Sequence, residues 1–202
     1  MLNAAIIGLG WWGKILTQTL AASNKITVVK LADVDAEGGA AFAAEHGIGF
    51  TTEFAAVLAD DTVDAVILAT PHSLHEEQII AAAGAGKHIF CEKPFCLNRA
   101  SALRAMEAID KAGVQIAIGH ERRFEPPIMD AMALARDGKL GPLMHIEANF
   151  SHDIFAALDE TNWRLKTEES PAGGLTATLI HLMDLSISLF GQPDRVLASV
   201  EC

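Results

Sequence analysis

Three glycines at a fixed spacing follow the first apolar segment of the chain. Gly8, Gly10 and Gly13 form a G-x-G-x-x-G motif after a strand-like segment, and a helical segment follows from about residue 12 to residue 22. The first glycine permits a tight turn, the second lets the backbone approach a pyrophosphate, and the third lets helix and strand pack closely. The N–H groups and partial positive charge of a helix N-terminus favour phosphates. This order of strand, glycines and helix predicts a dinucleotide site.

An acidic residue follows at the position where a ribose would lie. Asp33 lies 20 residues after Gly13, at the end of the second predicted strand. A carboxylate there accepts hydrogen bonds from an adenosine ribose and repels a 2′-phosphate, so the sequence favours NAD over NADP. Within the glycine loop, Trp11 and Trp12 are bulky. These two side chains either pack against the domain or line the cofactor cleft.

Short apolar runs alternate with helical segments over the first 119 residues. Runs that are apolar on both faces fit a buried parallel sheet. The repeated order strand, helix, strand implies right-handed crossovers and a doubly wound Rossmann sheet of the α/β class. We therefore assign residues 1–119 to an NAD-binding domain. The predicted strands are residues 3–8, 26–32, 64–69, 88–91 and 114–118.

Capping residues mark the helices between these strands. Asp35 can cap a helix that ends near residue 47, and Ser73 with Glu76 three residues later is typical of a capping box. Asn98 opens the next helix, which Gly113 ends. The apolar face of that helix is predicted from Leu103, Met106 and Ile109.

The pattern changes after Gly119. The segments predicted here are a helix that begins at Pro126 and Pro127, a strand over residues 143–150, a helix over residues 177–190 that stops at Gly191, and a strand over residues 195–201. These elements are too few for a complete core. We expect residues 120–202 to form an incomplete α+β domain with an open, mostly antiparallel sheet. Either the chain continues past Cys202 or copies of it associate to cover the sheet.

Polar residues follow the third and fourth predicted strands. Thr70 and Pro71 come after the third, and Glu92 and Lys93 come after the fourth. Ligands of open α/β sheets bind at the carboxyl ends of strands, so these residues are expected in the cofactor cleft. An ammonium group at Lys93 can hydrogen-bond a substrate hydroxyl and stabilise the alkoxide character that grows as hydride leaves. His75, in the first turn of the next helix, either contributes to this cleft or serves as a capping or packing residue.

The overall charge excludes several classes of partner. The chain has 15 Lys and Arg against 26 Asp and Glu, a net charge of −11, so nucleic acid and anionic membranes are not expected to bind. There is no secretory signal and no apolar run near the roughly 20 residues that span a bilayer, so we expect a soluble, cytoplasmic protein. Cys91, Cys96 and Cys202 have no metal-type spacing, so no metal site is predicted and free thiols are expected.

Motifs in both parts of the chain carry a resemblance to a known family. They are the glycine motif, Thr70-Pro71, His75, Glu92-Lys93-Pro94, Arg123-Phe124, Gly138-x-x-Gly141, Asn162-Trp163-Arg164, Gly173-Gly174 and His181-x-x-Asp184. Together they resemble the Gfo/Idh/MocA oxidoreductases over nearly the whole chain. The resemblance implies a Rossmann domain followed by a domain whose open sheet binds substrate and mediates homo-oligomerisation.

The resemblance also implies roles for individual residues. Lys93 and His181 would be the catalytic pair. The residues expected to hold NAD are Gly8, Gly10, Trp11, Trp12, Gly13, Asp33, Thr70, Pro71, His75, Glu92 and Lys93. Those expected to bind substrate are Lys93, Arg123, Trp163, Arg164, Asp184 and His181. The chain departs from the family at Ala177, where many members have an Asp four residues before the histidine, and at Leu179, where a glycine is common. A carboxylate that could orient the imidazole or share its proton is therefore missing from this helical face.

These observations lead to one main functional hypothesis and two alternatives. The main hypothesis is an NAD-dependent oxidoreductase that transfers hydride between nicotinamide and a secondary alcohol or ketone of a sugar, polyol or related compound. His181 would take the hydroxyl proton, and Lys93 would polarise the oxygen. One alternative is a nucleotide-binding regulator or sensor without turnover. The other is a partial chain without independent function.

Overall fold

The computed structural model describes residues 1–199 and divides into two compact units, Met1–Gly119 and His120–Cys202. Within the described residues, no helix is both long and apolar enough to cross a lipid bilayer. The two described cysteines, Cys91 and Cys96, are free thiols. Burial raises the pKa of both thiols, so neither is a reactive thiolate at neutral pH.

A parallel sheet forms the centre of the first unit. Its strands are β1 (Leu2–Ile7), β2 (Ile26–Ala32), β3 (Gly49–Thr51), β4 (Ala65–Leu68), β5 (His88–Cys91) and β6 (Ile116–Ile118). Their order is β3-β2-β1-β4-β5-β6, and every neighbouring pair is parallel. The predicted doubly wound parallel sheet is confirmed. Because the strand order reverses between β1 and β4, a crevice for ligands is expected at their carboxyl ends.

The helices of this unit cover both faces of the sheet. They are α1 (Trp11–Leu20), α2 (Ala36–His46), α3 (Phe54–Leu58), α4 (His75–Gly84) and α5 (Arg99–Ala112). Side chains of α4 and α5 pack with Val66 and Leu68 in one buried cluster. Side chains of α1 and α2 pack with Ile67 and β1 in a second cluster. Consecutive residues of β4 thus enter opposite clusters, as the two-residue period of a strand requires.

The caps of these helices agree with the sequence in two of three cases. The Asp35 side chain accepts a hydrogen bond from the Gly38 N–H at 3.0 Å, and Asn98 forms a capping box with Ser101. The predicted N-cap at Ser73 is wrong by one residue. A tight turn over His72–Leu74 runs directly into α4, so Leu74 is the N-cap, and Glu76 pairs with Arg104 of α5 instead.

The buried face of α5 also differs from the prediction. Leu103 is 53% exposed and Met106 is 39% exposed, whereas Ser101, Ala105 and Ile109 are buried. These three residues are spaced by four, and their small members allow α5 to approach α4 closely. Of the three residues predicted for the apolar face, Ile109 is buried, whereas Leu103 and Met106 are not.

The second unit contains helices α6 (Pro126–Arg136) and α7 (Ile180–Phe190). A π-helical turn over Leu175–Leu179 leads into α7, and such turns occur frequently at functional sites. The predicted antiparallel sheet is not confirmed, since residues 143–150 and 195–199 form no strand. A strand needs a hydrogen-bonded neighbour, and the described residues of this unit supply none. Residues 200–202, where the last predicted strand ends, lie outside the described residues.

Candidate functional site

The loop between β1 and α1 has the shape that a pyrophosphate requires. Gly8 has a φ of +93°, and a Cβ there would lie 2.7 Å from the Ala69 carbonyl oxygen. A Cβ on Gly13 would overlap the Gly8 carbonyl oxygen, whereas a Cβ on Gly10 would meet nothing within 4 Å. No side chain caps the start of α1, and its first turn has no acidic residue. The first N–H groups of this helix therefore have no side-chain cap, and the residues fit a dinucleotide phosphate group.

Asp33 follows β2 directly and lies beside the glycine loop. Its Oδ2 accepts a hydrogen bond from the Leu9 N–H, and its Oδ1 accepts one from the Asp35 N–H at 2.8 Å. Two backbone donors thus hold the carboxylate in a fixed orientation before any ligand binds. Carboxylate oxygens can accept further hydrogen bonds, so these contacts leave capacity for ribose hydroxyls.

An indole joins the glycine loop to the loop after β5. Trp12 Nε1 donates to Glu92 Oε1 at 2.6 Å, and the Lys93 N–H donates to Glu92 Oε2 at 3.3 Å. Glu92 is buried, and a Cβ on Gly119 would lie 2.7 Å from Oε1 of its carboxylate. Glu92 therefore links the cofactor loop to the backbone of Lys93. Trp11, in contrast, is 70% exposed.

His75 connects two of the strand-end loops. It is fully buried, and its Nδ1 lies 2.8 Å from the Pro94 carbonyl oxygen while its Nε2 lies 3.1 Å from the Thr70 carbonyl oxygen. The Thr70 hydroxyl donates to Gln78 Oε1 at 2.6 Å, which fixes the same loop to α4. Through these contacts His75 holds together the two loops that follow β4 and β5. Direct contact of His75, Thr70 or Pro71 with a cofactor stays a prediction.

Two predicted substrate residues bind each other in the second unit. Arg123 Nη2 donates to Asp184 Oδ1 at 2.6 Å, and Arg123 Nε donates to Oδ2 of the same carboxylate. This forked ion pair raises the pKa of the Arg123 guanidinium. The Asp184 side chain is 13% exposed, so the pair is partly desolvated. Its direct contact with substrate stays a prediction.

His181 lies in a cluster of polar side chains that includes this pair. It is buried in the first turn of α7, and its Nε2 lies 3.9 Å from Glu121 Oε1. The His120 ring packs edge-on against the His181 ring, with 5.9 Å between centroids, and His120 Nε2 lies 3.9 Å from Asp184 Oδ1. Sequence reasoning missed His120 and Glu121. Their position directly after β6 was the available signal, the same one that had identified Lys93.

Trp163 and Arg164 contact each other in a short turn of the second unit. The Arg164 guanidinium lies 4.3 Å from the centroid of the Trp163 ring. Burial lowers the pKa of Arg164, although the guanidinium keeps its charge at any physiological pH. An aromatic face beside a guanidinium is a suitable surface for a polar ring. Contact of this pair with substrate stays a prediction.

The fold and the glycine loop define the class of protein. A parallel sheet in this strand order, with a phosphate cradle after β1 and an acidic residue after β2, is a Rossmann dinucleotide-binding domain. The pattern of the Gfo/Idh/MocA oxidoreductases, an NAD-binding Rossmann fold, matches residues 2–120. The C-terminal domain of the same family matches residues 128–202. The chain belongs to the Gfo/Idh/MocA family, as its motifs predicted.

Named relatives include sugar oxidoreductases. The 1,5-anhydro-D-fructose reductase of Ensifer adhaerens is 33% identical over 185 residues, which are 86% of this chain and 54% of that protein. A levoglucosan dehydrogenase in complex with NADH and levoglucosan is 25% identical, with a TM-score of 0.83 over 95% of this chain and 54% of the other. A protein from Desulfitobacterium hafniense, assigned as an NADPH-dependent oxidoreductase, is 28% identical, with a TM-score of 0.88 over 94% of this chain and 55% of the other. The chain spans about half the length of these relatives.

Proposed function

We propose that the protein is an oxidoreductase that transfers hydride between NAD and a secondary alcohol or ketone of a sugar, polyol or related compound. The observation that carries the proposal is the continuous connection from the glycine loop through Trp12 and Glu92 to Lys93. It joins a phosphate cradle to the backbone of an ammonium-bearing residue at the carboxyl edge of the sheet. Family membership and the names of the relatives support the same reaction class.

Different residues would bind the pyrophosphate and the adenosine ribose of the cofactor. The N–H groups at the start of α1 would bind the pyrophosphate, and Asp33 would accept hydrogen bonds from the adenosine ribose. The carboxylate of Asp33 supports NAD over NADP, because a 2′-phosphate there would meet a fixed negative charge. A bound nicotinamide cofactor would accept or supply the hydride.

Two residues would act on the reacting oxygen. The Lys93 ammonium would donate a hydrogen bond to the substrate oxygen and stabilise the negative charge that grows on it. The His181 imidazole would take the hydroxyl proton in the oxidation direction and return it in the reduction direction. His181 is buried, which limits competition from water at the imidazole.

The substrate class rests on the relatives and on the polar cluster around His181. One relative is a 1,5-anhydro-D-fructose reductase, and one similar structure contains levoglucosan. We therefore place the substrate among sugars and their anhydro derivatives, with cyclic polyols as a related group. The charged side chains of Arg123 and Asp184 hold each other, which leaves the cluster suited to an uncharged, hydroxyl-rich ligand.

Turnover with a substrate panel tests the proposal. We expect reduced nicotinamide to form when the protein is mixed with NAD⁺ and sugars, anhydrosugars or cyclic polyols. Replacing Lys93 with Ala should lower turnover about 10²-fold or more, the usual effect of removing such a group, while NAD binding is kept. Lys111→Ala, which removes an exposed lysine from α5, is the matched control. Binding of NAD without turnover of any panel member would instead support a nucleotide-binding regulator or sensor, an alternative that Ala177 favours.

A further inference from the structure

We infer that Glu121 is a positioning residue for His181 and supplies, from the turn after β6, the carboxylate that the chain lacks at Ala177. The inference rests on the proposed function, in which His181 transfers the substrate proton. Position 177 lies in the π-helical turn that leads into α7, four residues before His181, and the Ala177 side chain offers no charge to the imidazole. Glu121 approaches the same ring from a segment about 60 residues earlier in the sequence.

The geometry places the Glu121 carboxylate beside the imidazole. Glu121 Oε1 lies 3.9 Å from His181 Nε2, which is within ion-pair distance but longer than a hydrogen bond. Catalytic hydrogen bonds are often long before substrate binds and shorten in the complex. The second oxygen, Oε2, is buried and has no hydrogen-bond partner among residues 1–199. The carboxylate therefore keeps acceptor capacity for an N–H of His181.

The other charged groups of this cluster are engaged in ion pairs. Asp184 is on the same helix as His181 and is ion-paired with Arg123. Arg122 Nε lies 3.6 Å from Glu121 Oε1, but the same guanidinium also binds Glu125 through Nη1. His120 faces His181 edge-on. Asp184 and Glu125 thus each pair with a guanidinium, and Glu121 shares Arg122 with Glu125.

This arrangement gives Glu121 a defined effect on proton transfer. When His181 takes the hydroxyl proton, the imidazolium that forms is stabilised by the carboxylate near it. Glu121 also restricts the orientation of the ring, as the acidic member of a hydrolase triad restricts its histidine. Glu121 lies beside His181 and would act through it, so its contribution should appear in the chemical step and in the pH profile.

Replacement of Glu121 by Gln tests the inference in kinetics. We expect kcat to fall about 10- to 100-fold while KM and NAD binding change little. The acidic limb of the kcat/KM profile should move to lower pH, because removing a negative charge lowers the pKa of His181. Adding Ala177→Asp to Glu121→Gln should restore part of kcat and should move the acidic limb part of the way back to its original pH. Asp130→Asn, an exposed acidic residue of α6, is the matched control.

A second readout does not depend on turnover. Titration of the His181 ring followed by NMR should give a midpoint at least about half a pH unit lower in Glu121→Gln than in the parent protein. An unchanged midpoint would overturn the inference even if no substrate is found, and a lowered midpoint would support it in that case. A second result would also overturn it. In that case kcat, the melting temperature and NAD affinity would all fall in Glu121→Gln, while the acidic limb of the kcat/KM profile stayed at the same pH. Absence of turnover in the parent protein would count against the proposed function alone.

Discussion

Asp33 is the residue on which the proposed preference for NAD over NADP rests. Its carboxylate is held by the N–H groups of Leu9 and Asp35, so its position does not depend on a ligand. Because the Asp33 side chain is already held in place, it loses little conformational entropy when a ribose binds. The preference for NAD that we propose therefore rests on this fixed charge.

Neutralising Asp33 should narrow that preference. We expect Asp33→Asn to reduce the ratio of NAD to NADP affinity about tenfold, or about 1.4 kcal/mol, because the repulsion of a 2′-phosphate is lost. Calorimetric titration with both cofactors measures the ratio. Asp35→Asn is the matched control, since Asn also caps helices well and α2 should be kept. Equal or tighter binding of NADP by the parent protein would contradict the assignment.

Some residues of the site were visible in the sequence and others were not. The glycines, Asp33 and Lys93 follow strands directly, so local pattern and the rules of open α/β sheets located them. The contact of Trp12 with Glu92 joins residues 80 positions apart. No local signal distinguishes an indole that makes such a contact from the exposed indole of Trp11 beside it. The sequence therefore left packing and cleft lining open for both.

At the scale of the element, two glycines of the loop between β1 and α1 are needed for different reasons. A Cβ at Gly13 would overlap the Gly8 carbonyl oxygen, so this glycine is needed by the fold itself. A Cβ at Gly10 would meet nothing, and the φ of −62° there is open to any residue. The fold therefore does not require a glycine at position 10, and we expect the space beside it to be needed for the bound ligand.

Alanine at these two glycines should have opposite effects. Gly10→Ala should keep or slightly raise the free energy of unfolding, by up to about 1 kcal/mol, while NAD affinity falls at least about tenfold. Gly13→Ala should destabilise the protein, because backbone must move to admit the Cβ. Chemical denaturation and calorimetric titration of both variants provide the comparison. Unchanged NAD affinity in a stable Gly10→Ala protein would show that the pyrophosphate does not lie on this loop.

The elements of the first unit were largely predictable, and those of the second were not. The strand Ala65–Leu68, for example, is apolar and buried throughout, and such runs can be recognised from the sequence. β3 was missed because its three residues, Gly49–Thr51, are too short for any period. Residues 143–150 have strand-like composition but form no strand, since pairing depends on neighbours that the segment itself does not specify.

For the whole molecule, an apolar groove on the second unit indicates an interaction surface. The groove has a volume of about 420 Å³ and is lined in part by Met183, Ile187 and Phe190 of α7 and by Ile146. Each of these four side chains is more than two-fifths exposed. Apolar surface of this kind favours association. We propose that a second copy of the chain covers it in a homo-oligomer, as the family resemblance implies, and a continuation of the chain past Cys202 is the alternative.

Light scattering across a range of concentrations tests this surface. We expect the average mass to rise with concentration, and Ile187→Glu to lower it toward that of a monomer, because a charge would be buried in the contact. Val34→Glu, at an apolar position of the first unit that is 94% exposed, is the matched control. A monomer at every concentration that binds no apolar dye would contradict an oligomer built on this face.

The transfer of deuterium from substrate to nicotinamide tests the central claim most directly. A sugar or polyol identified in the panel, labelled with deuterium at the carbinol carbon, is incubated with NAD⁺ and the protein, and the reduced cofactor is examined by mass spectrometry. We expect one deuterium in the nicotinamide ring. The yield of this labelled cofactor should be about 10²-fold lower for Lys93→Ala under the same conditions. Reduced cofactor without the label, or substrate conversion with the label retained on carbon, would contradict hydride transfer as the reaction of this protein.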